Sequence, residues 1–324
     1  MRVAILGATG AVGRTMLRIL DERGFAVDEL LPLASERSAG RTIDWRGRSW
    51  QIQEPRPGVF EGCDIALFSA GASRSLEWAP RAVEEGAVVI DNSSGWRTDP
   101  DVPLVVPEVN GSRATDRPKG IIANPNCATI QMVVVLEAVR RAAGLRRVVA
   151  TTFQSVSGAG QKGIDALEAE LAGGRSESTP FVGPIAGNVL PYIGQRGDDG
   201  WNEEEQKIRF ESRKILELPE LQVIATCVRV PVRVGHSISV TAELERPVSR
   251  RDLADVIARM DGVDYCPDRD PAPLEVAGTD RVCVGHLRVD PDLASVVHFW
   301  VVADNLRKGA ATNAVQIAEL LTRA

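Results

Sequence analysis

Val3, Ala4, Ile5 and Leu6 form a short unbroken apolar run, as expected of a strand buried on both faces of a parallel sheet. The run leads straight into Gly7-Ala8-Thr9-Gly10-Ala11-Val12-Gly13. An amphipathic segment follows, with Met16, Leu17, Ile19 and Leu20 on one helical face. Strand, glycine turn and helix in that order commit the start of the chain to a βαβ unit and an α/β fold. The spacing G-x-x-G-x-x-G is a variant of the dinucleotide fingerprint. There the glycines let the backbone approach a pyrophosphate, which sits on the helix N-terminus. Glycine-rich turns are common in loops, so it is the placement in the first strand–turn–helix that makes Gly7, Thr9, Gly10, Ala11, Val12 and Gly13 cofactor candidates.

The next strand, near Leu30–Leu33, should end in the residues that read the adenosine ribose. An acidic side chain there selects NAD, and a nearby arginine suits the 2′-phosphate of NADP. The sequence offers Ser35, Glu36, Arg37 and Ser38. Two hydroxyls and a guanidinium favour NADP, with Glu36 as the dissenting group and a polar surface loop as the plain alternative. Strands at 64–68 and 87–91 end in Ser69-Ala70-Gly71 and Asn92-Ser93-Ser94, turns that should border the cofactor at the carboxyl edge of the sheet. Arg97 is either a solvated surface residue or an anion clamp. Residues 104–110 read as a further strand end.

Asn124-Pro125-Asn126-Cys127-Ala128-Thr129 then precedes a long apolar run from Ile130 to Val139. A thiol at a helix start meets unpaired N–H groups and a partial positive charge, which lower its pKa from ~8.5 to roughly 3.5–7.5. Cys127 is therefore a candidate nucleophile, or else a small buried hydrophobe, as most lone cysteines are. The chain has 324 residues, long for one core, so two domains are expected. A net charge of −6 argues against a nucleic-acid partner. No charged leader with an apolar core and no apolar stretch of ~18 residues points to secretion or a membrane span. The five scattered cysteines form no CxxC pair, which disfavours a zinc site or a disulfide framework and fits a reducing cytoplasm.

In the second half, residues 147–156, 223–232, 237–244, 282–289 and 295–303 read as strands of a mostly antiparallel sheet with helices on one face. Gln154 lies at the end of the first of these, where a surface amide would be ordinary. Ser157, Gly158 and Gly160 follow in a loop flexible enough to lie against a cofactor. The run Glu203-Glu204-Glu205-Gln206-Lys207 reads as a solvated helix face with an i,i+3 ion pair. Of three histidines, His298 and His286 sit at strand positions. His236 sits at a loop-to-strand junction beside arginines and is the acid/base candidate. A last helix, ending near Arg323, should pack back on the first domain.

Taken together, GATGAVG (7–13), SERSAG (35–40), DNSSGWRTDPDVPLVVPEVN (91–110), NPNCAT (124–129), FQSVSGAG (153–160), EEQK (204–207), CVRVPVRVGHS (227–237) and DNLRKGAATNA (304–314) resemble the bacterial aspartate-semialdehyde dehydrogenase family along nearly the whole chain. The resemblance implies a Rossmann-type NADP-binding domain (1–126 and 306–324). It also implies an α+β catalytic and dimerisation domain (127–305) like that of glyceraldehyde-3-phosphate dehydrogenase. It further implies a homodimer, and NADPH-dependent reduction of L-aspartyl 4-phosphate to the semialdehyde on the route to lysine, threonine, methionine and diaminopimelate. Cys127 would form a thioester, His236 would be acid/base and Gln154 would orient the carbonyl. Arg229 would clamp the substrate carboxylate and Glu204 would meet its amino group. Arg97, Asn126 and Lys207 would hold phosphate, and Asn305 would join the cofactor contacts with Ser157 and Gly158. Phe153 stands where the family commonly has tyrosine, and Gly187 where it has an aromatic. N-acetylglutamyl-phosphate reductases and glyceraldehyde-3-phosphate dehydrogenases share the architecture, but are not expected to need the Glu204–Lys207 and Arg229–His236 pairs. A catalytically inactive relative should have lost the thiol or the base.

Overall fold

The computed structural model describes residues 1–174 and 178–322. The chain divides into two compact units, Met1–Pro125 with Ala310–Ala324, and Asn126–Gly309. Asn126 and residues 306–309, placed by sequence in the first domain, cluster with the second.

The strands of the first unit are β1 (Arg2–Leu6), β2 (Glu29–Leu33), a hairpin of β3 (Thr42–Trp45) and β4 (Arg48–Gln51), β5 (Ile65–Phe68), β6 (Val88–Asp91) and β7 (Ile121–Ala123). Five of them make an all-parallel sheet in the order β2-β1-β5-β6-β7. The apolar run of β1 pairs with Leu30–Leu33 on one side and Ile65–Phe68 on the other, which is why it needs no polar face. Chain order reverses between β1 and β5, the switch point at which open parallel sheets bind ligands. Helices α1 (Ala11–Glu22) and α2 (Ala72–Glu84) follow β1 and β5. The C-terminal helix, Thr312–Thr322, buries Ala314, Val315, Ile317 and Ala318 in one cluster with Ile5, Leu20 and Ile90, so it belongs to this unit. Arg323, where the sequence ends that helix, lies outside the described residues.

One expectation is corrected here. Leu104 makes a single bridge to Ala123, and Pro107–Asn110 is a helical turn (α3) rather than the end of a strand. Proline at the first position lacks an N–H that a helix start would leave unpaired, so it favours that turn. The β3–β4 hairpin escapes sequence patterning for a related reason. Its turn places Arg46 at φ 49° and Gly47 at φ 70°, and arginine is not a residue that advertises such a turn.

The second unit runs α4 (Cys127–Ala143), β8 (Arg147–Gln154), α5 (Gln161–Leu171), α6 (Glu203–Leu216), β9 (Gln222–Arg229), β10 (His236–Glu243), α7 (Arg250–Ala258), β11 (Val263–Tyr265), β12 (Val282–Val289) and β13 (Val296–Ala303). Its six-stranded sheet has the order β11-β12-β13-β10-β8-β9. The central strands pair antiparallel, while β8–β9 and β11–β12 are parallel. Residues alternate strictly along β9: Val223, Ala225, Cys227 and Arg229 are buried against α6, and Gln222, Ile224 and Thr226 point the other way. The strand stops at Arg229, short of the expected Val232; Pro231 just beyond cannot donate to a ladder.

Candidate active site

Each unit holds its own cluster of the residues singled out above. In the first, the cluster is made largely of backbone. Gly7 adopts φ 94°, and its N–H donates to the Leu33 carbonyl at 2.8 Å. A Cβ on Gly7 would lie 2.5 Å from the Ser69 carbonyl oxygen, and one on Gly13 would lie 2.2 Å from the Gly7 oxygen. Both contacts are too short for any side chain, so glycine is required where β1, β5 and α1 converge. Gly10 caps α1 without a side-chain hydrogen bond, whereas Asn126 caps α4 and Ser249 caps α7 with side-chain oxygens. The first N–H groups of α1 are thus left for an anion, the arrangement a pyrophosphate requires.

Beside the turn, Thr9, Arg14, Arg41, Thr42, Ile43 and Ile52 line a cleft of about 620 Å³. Ser35 and Ser38 close a tight turn through a 2.8 Å backbone bond, with Arg37 exposed between them. Ser69 and Asn92 are half-buried at the ends of β5 and β6, and Gly71 is exposed. Arg97 is a buried residue rather than a solvated one. Its Nε donates to the Asn124 carbonyl at 3.0 Å and a terminal nitrogen to the Asn92 carbonyl at 2.8 Å.

In the second unit, strand register gathers the site. Gln154 pairs with Arg229 at the ends of parallel β8 and β9. His236, the first residue of antiparallel β10, lies opposite Ala303 at the end of β13, two residues before Asn305. Four strand ends therefore bring Gln154, Arg229, His236 and Asn305 to one edge. At that edge α4 begins, with Cys127 as its first residue and Asn126 as its cap. The Asn126 side-chain oxygen accepts the N–H groups of Ala128 and Thr129 at 2.9 and 3.2 Å. The Cys127 Sγ lies 3.2 Å from His236 Nε2.

Glu204 ties the cluster together. One of its oxygens accepts Asn126 Nδ2 at 2.8 Å and Gln154 Nε2 at 3.0 Å, and the other lies 3.4 Å from Lys207 Nζ. The i,i+3 pair exists, but Glu204 is 7% exposed, so the solvated helix face suggested by the charge run is corrected. Burial alone would raise its carboxyl; Lys207 and the amide donors of Gln154 and Asn126 outweigh that and hold it below the usual range. Gln154 is fully buried, and its Oε1 has no partner among the described residues. Arg229 is buried and donates to the Ser155 carbonyl at 2.7 Å. Gly158 packs closely beside it: a Cβ there would lie 2.8 Å from the Arg229 guanidinium and 3.3 Å from His236 Nε2, so the guanidinium would have to shift.

His236 is completely buried. Desolvation and the Arg229 charge push it down to about 3, against the weaker pull of Glu204 and a backbone hydrogen bond at Gly235. Its ring is neutral at neutral pH. Asn305 and Ser157, expected at the cofactor, are buried and bonded to each other: Asn305 Nδ2 donates to Ser157 Oγ at 2.9 Å, and Asn305 Oδ1 accepts the Gly235 N–H at 2.9 Å. Among the other histidines, His298 pairs with Thr241, while His286 sits at a bulge with φ 52° and faces Asp270. Phe153 packs on Trp300 with ring centroids 5.6 Å apart, away from the cluster's hydrogen bonds. Gly187 adopts φ 68° in open space.

Two residues of this cluster went unmarked in the sequence. Ser155 bonds to four of its members, Arg229, His236, Ser157 and Asn305, and Glu211 accepts the Asn126 backbone N–H at 2.6 Å. Glu211 lies seven residues after Glu204 on α6, so helical spacing from Glu204 is the signal that finds it. Of the five cysteines, Cys127 alone is partly exposed. Burial drives the thiols of Cys63 and Cys283 up to about 11 and that of Cys227 higher still, which leaves them inert.

Residues 2–116 match the semialdehyde dehydrogenase NAD binding domain, and residues 136–308 match the semialdehyde dehydrogenase dimerisation domain. The aspartate-semialdehyde dehydrogenase of Aquifex aeolicus is 49% identical over 99% of this chain and 98% of its own length. A crystal structure of aspartate semialdehyde dehydrogenase II from Vibrio cholerae, complexed with ASA, is 48% identical. It superposes with a TM-score of 0.96 over 99% of this chain and 98% of that one. The enzyme of Candida albicans, solved with NADP, is 26% identical with a TM-score of 0.77, over 99% of this chain and 98% of that one. Among the described residues, no helix is long and apolar enough to cross a membrane. By sequence and by fold, the chain belongs to the aspartate-semialdehyde dehydrogenase family.

Proposed function

We propose that the chain reduces L-aspartyl 4-phosphate to L-aspartate 4-semialdehyde with release of phosphate, in the pathway to the aspartate-derived amino acids. The observation that carries this is the 3.2 Å contact between Cys127 Sγ and His236 Nε2 at the capped start of α4. Glu204 and Arg229 are buried in the same cluster. The Cys127 sulfur attacks the acyl carbon and expels phosphate, leaving a thioester. The nicotinamide cofactor, when bound, supplies the hydride that reduces it. His236 serves the reacting oxygen and sulfur, and the second N–H of Gln154 Nε2 orients the carbonyl. Arg229 takes the substrate carboxylate, and Glu204, with the unpartnered Gln154 Oε1, takes the ammonium.

Lys207 and the remaining N–H of Asn126 Nδ2 hold the departing phosphate. Arg97 belongs to the other unit and joins this role through the family resemblance alone. We assign NADP as the cofactor. The glycine turn and the open start of α1 receive the pyrophosphate, Ser35, Arg37 and Ser38 the 2′-phosphate, and Ser69, Gly71 and Asn92 complete the contacts of this unit; Ser157, Gly158 and Asn305 join them through the family resemblance alone. The protein works as a homodimer through its second unit, and its mostly buried cysteines, which form no disulfide among the described residues, suit the reducing cytoplasm.

The test is phosphate-dependent oxidation of three aldehydes: aspartate semialdehyde, N-acetylglutamate semialdehyde and glyceraldehyde 3-phosphate. Turnover of the first alone, faster with NADP than with NAD, is expected. Preference for either of the other two rejects the substrate, and equal rates with both cofactors reject the 2′-phosphate assignment.

A further inference from the structure

Ser155 spends all three of its polar groups on the site. Its carbonyl accepts Arg229, its hydroxyl lies 2.9 Å from Asn305 Oδ1 and 3.1 Å from His236 Nδ1, and its backbone N–H donates to His236 Nδ1 at 3.0 Å. The Gly235 N–H, donating to Asn305 Oδ1, fixes which end of that amide is the oxygen. The bond to His236 has a chemical consequence. A ring nitrogen that accepts a backbone N–H cannot carry a proton of its own, so the single proton of a neutral imidazole must be on the other nitrogen. The other nitrogen is Nε2, the one 3.2 Å from Cys127 Sγ.

Resting on the acyl-transfer reading above, we propose that Ser155 is a positioning residue that locks His236 as the neutral Nε2–H tautomer, so that His236 meets the thiolate and the reacting oxygen as a hydrogen-bond donor rather than as the base that ionises Cys127. The thiol proton then leaves to solvent. The thiolate is stabilised by the Nε2–H and the start of α4. The proton balance permits this. Attack forms the C–S bond and breaks the C–O bond to phosphate, which departs with the electron pair and takes its proton from water. The reduced adduct is an alkoxide. It collapses by re-forming C=O and breaking C–S, and the sulfur leaves as the thiolate from which the cycle began, so nothing must protonate it. The Nε2–H is needed only to stabilise the oxyanion, a role for which a neutral imidazole suffices. The full burial of the ring and the adjacent Arg229 both disfavour imidazolium, which agrees with the geometry.

The experiment is ¹⁵N NMR of histidine-labelled full-length protein without substrate, with His286→Asn and His298→Asn variants to assign the His236 signals. A pyridine-like Nδ1 and a pyrrole-like Nε2, unchanged between about pH 6 and about pH 8, is the expected pattern. The Ser155→Ala variant keeps the backbone N–H and should keep the pattern. A pyrrole-like Nδ1, or two protonated nitrogens, overturns the proposal even in a protein that oxidises aspartate semialdehyde. The expected pattern in a protein inactive on that aldehyde overturns only the substrate assignment.

Discussion

The glycine turn of the first unit and the Cys127 cluster of the second solve their chemical problems with different materials. The turn is made of backbone. Gly7 and Gly13 admit no Cβ, and α1 starts without a side-chain cap. The cluster is made of buried side chains, and it is held by charge. Asn126 and Gln154 both donate to one oxygen of Glu204, and Lys207 stands at the other. A backbone site tolerates many sequences around fixed glycines. A cluster of buried polar groups constrains each member through its partners, because a group left unpaired costs roughly 1–3 kcal/mol, and more if charged.

That contrast can be broken, most severely at the sulfur. Cys127→Ser should lower turnover by roughly 10⁴-fold or more, as loss of a nucleophile does. Binding of NADP, followed by fluorescence titration, should survive. Glu204→Gln keeps the shape but removes the charge that two amides and Lys207 share. A loss in kcat/KM on the order of 100-fold is expected, with a lower melting temperature because the amide NH2 must meet a donor at one end, and wild-type kinetics would show that the charge is idle. Gly13→Ala should act on the other unit alone. Overpacking costs about 1–3 kcal/mol, enough to lower the melting temperature by several degrees. Cofactor affinity should fall, and reactivity of the Cys127 thiol towards iodoacetamide should stay as it was.

The smallest effect concerns pH. Folded His236 resists protonation down to about 3, whereas in the unfolded chain it takes a proton near its ordinary 6.5. The unfolded state therefore binds the extra proton between those values. Stability from burying the neutral ring is complete above about 6.5 and is lost as pH falls through that window. His236→Asn should flatten the decline of melting temperature from about pH 7 to about pH 5; parallel curves would remove His236 from the acid response.

The same contrast explains what the sequence disclosed. The glycine turn and the cysteine after Asn-Pro-Asn are local patterns, legible because backbone geometry and helix capping act over a few residues. The pattern at 104–110 misled because a lone bridge followed by a proline-started turn resembles a strand end. The acidic run at 203–205 reads as solvated because nothing nearby says otherwise; what buries Glu204 is Asn126 and Gln154, 78 and 50 residues away. Ser155 was invisible for a different reason. Its link to His236 runs through the main chain, which every residue possesses, so only the register of β8 against β10 reveals it.

The central claim is that catalysis passes through a covalent acyl group on Cys127. It is tested most directly by mixing the protein with L-aspartyl 4-phosphate in the absence of cofactor, then measuring released phosphate and the mass of the Cys127 peptide. One phosphate per active chain and an aspartyl adduct on that peptide, absent from Cys127→Ser, is the predicted result. Phosphate release that waits for NADPH, with no adduct at any time, would contradict it.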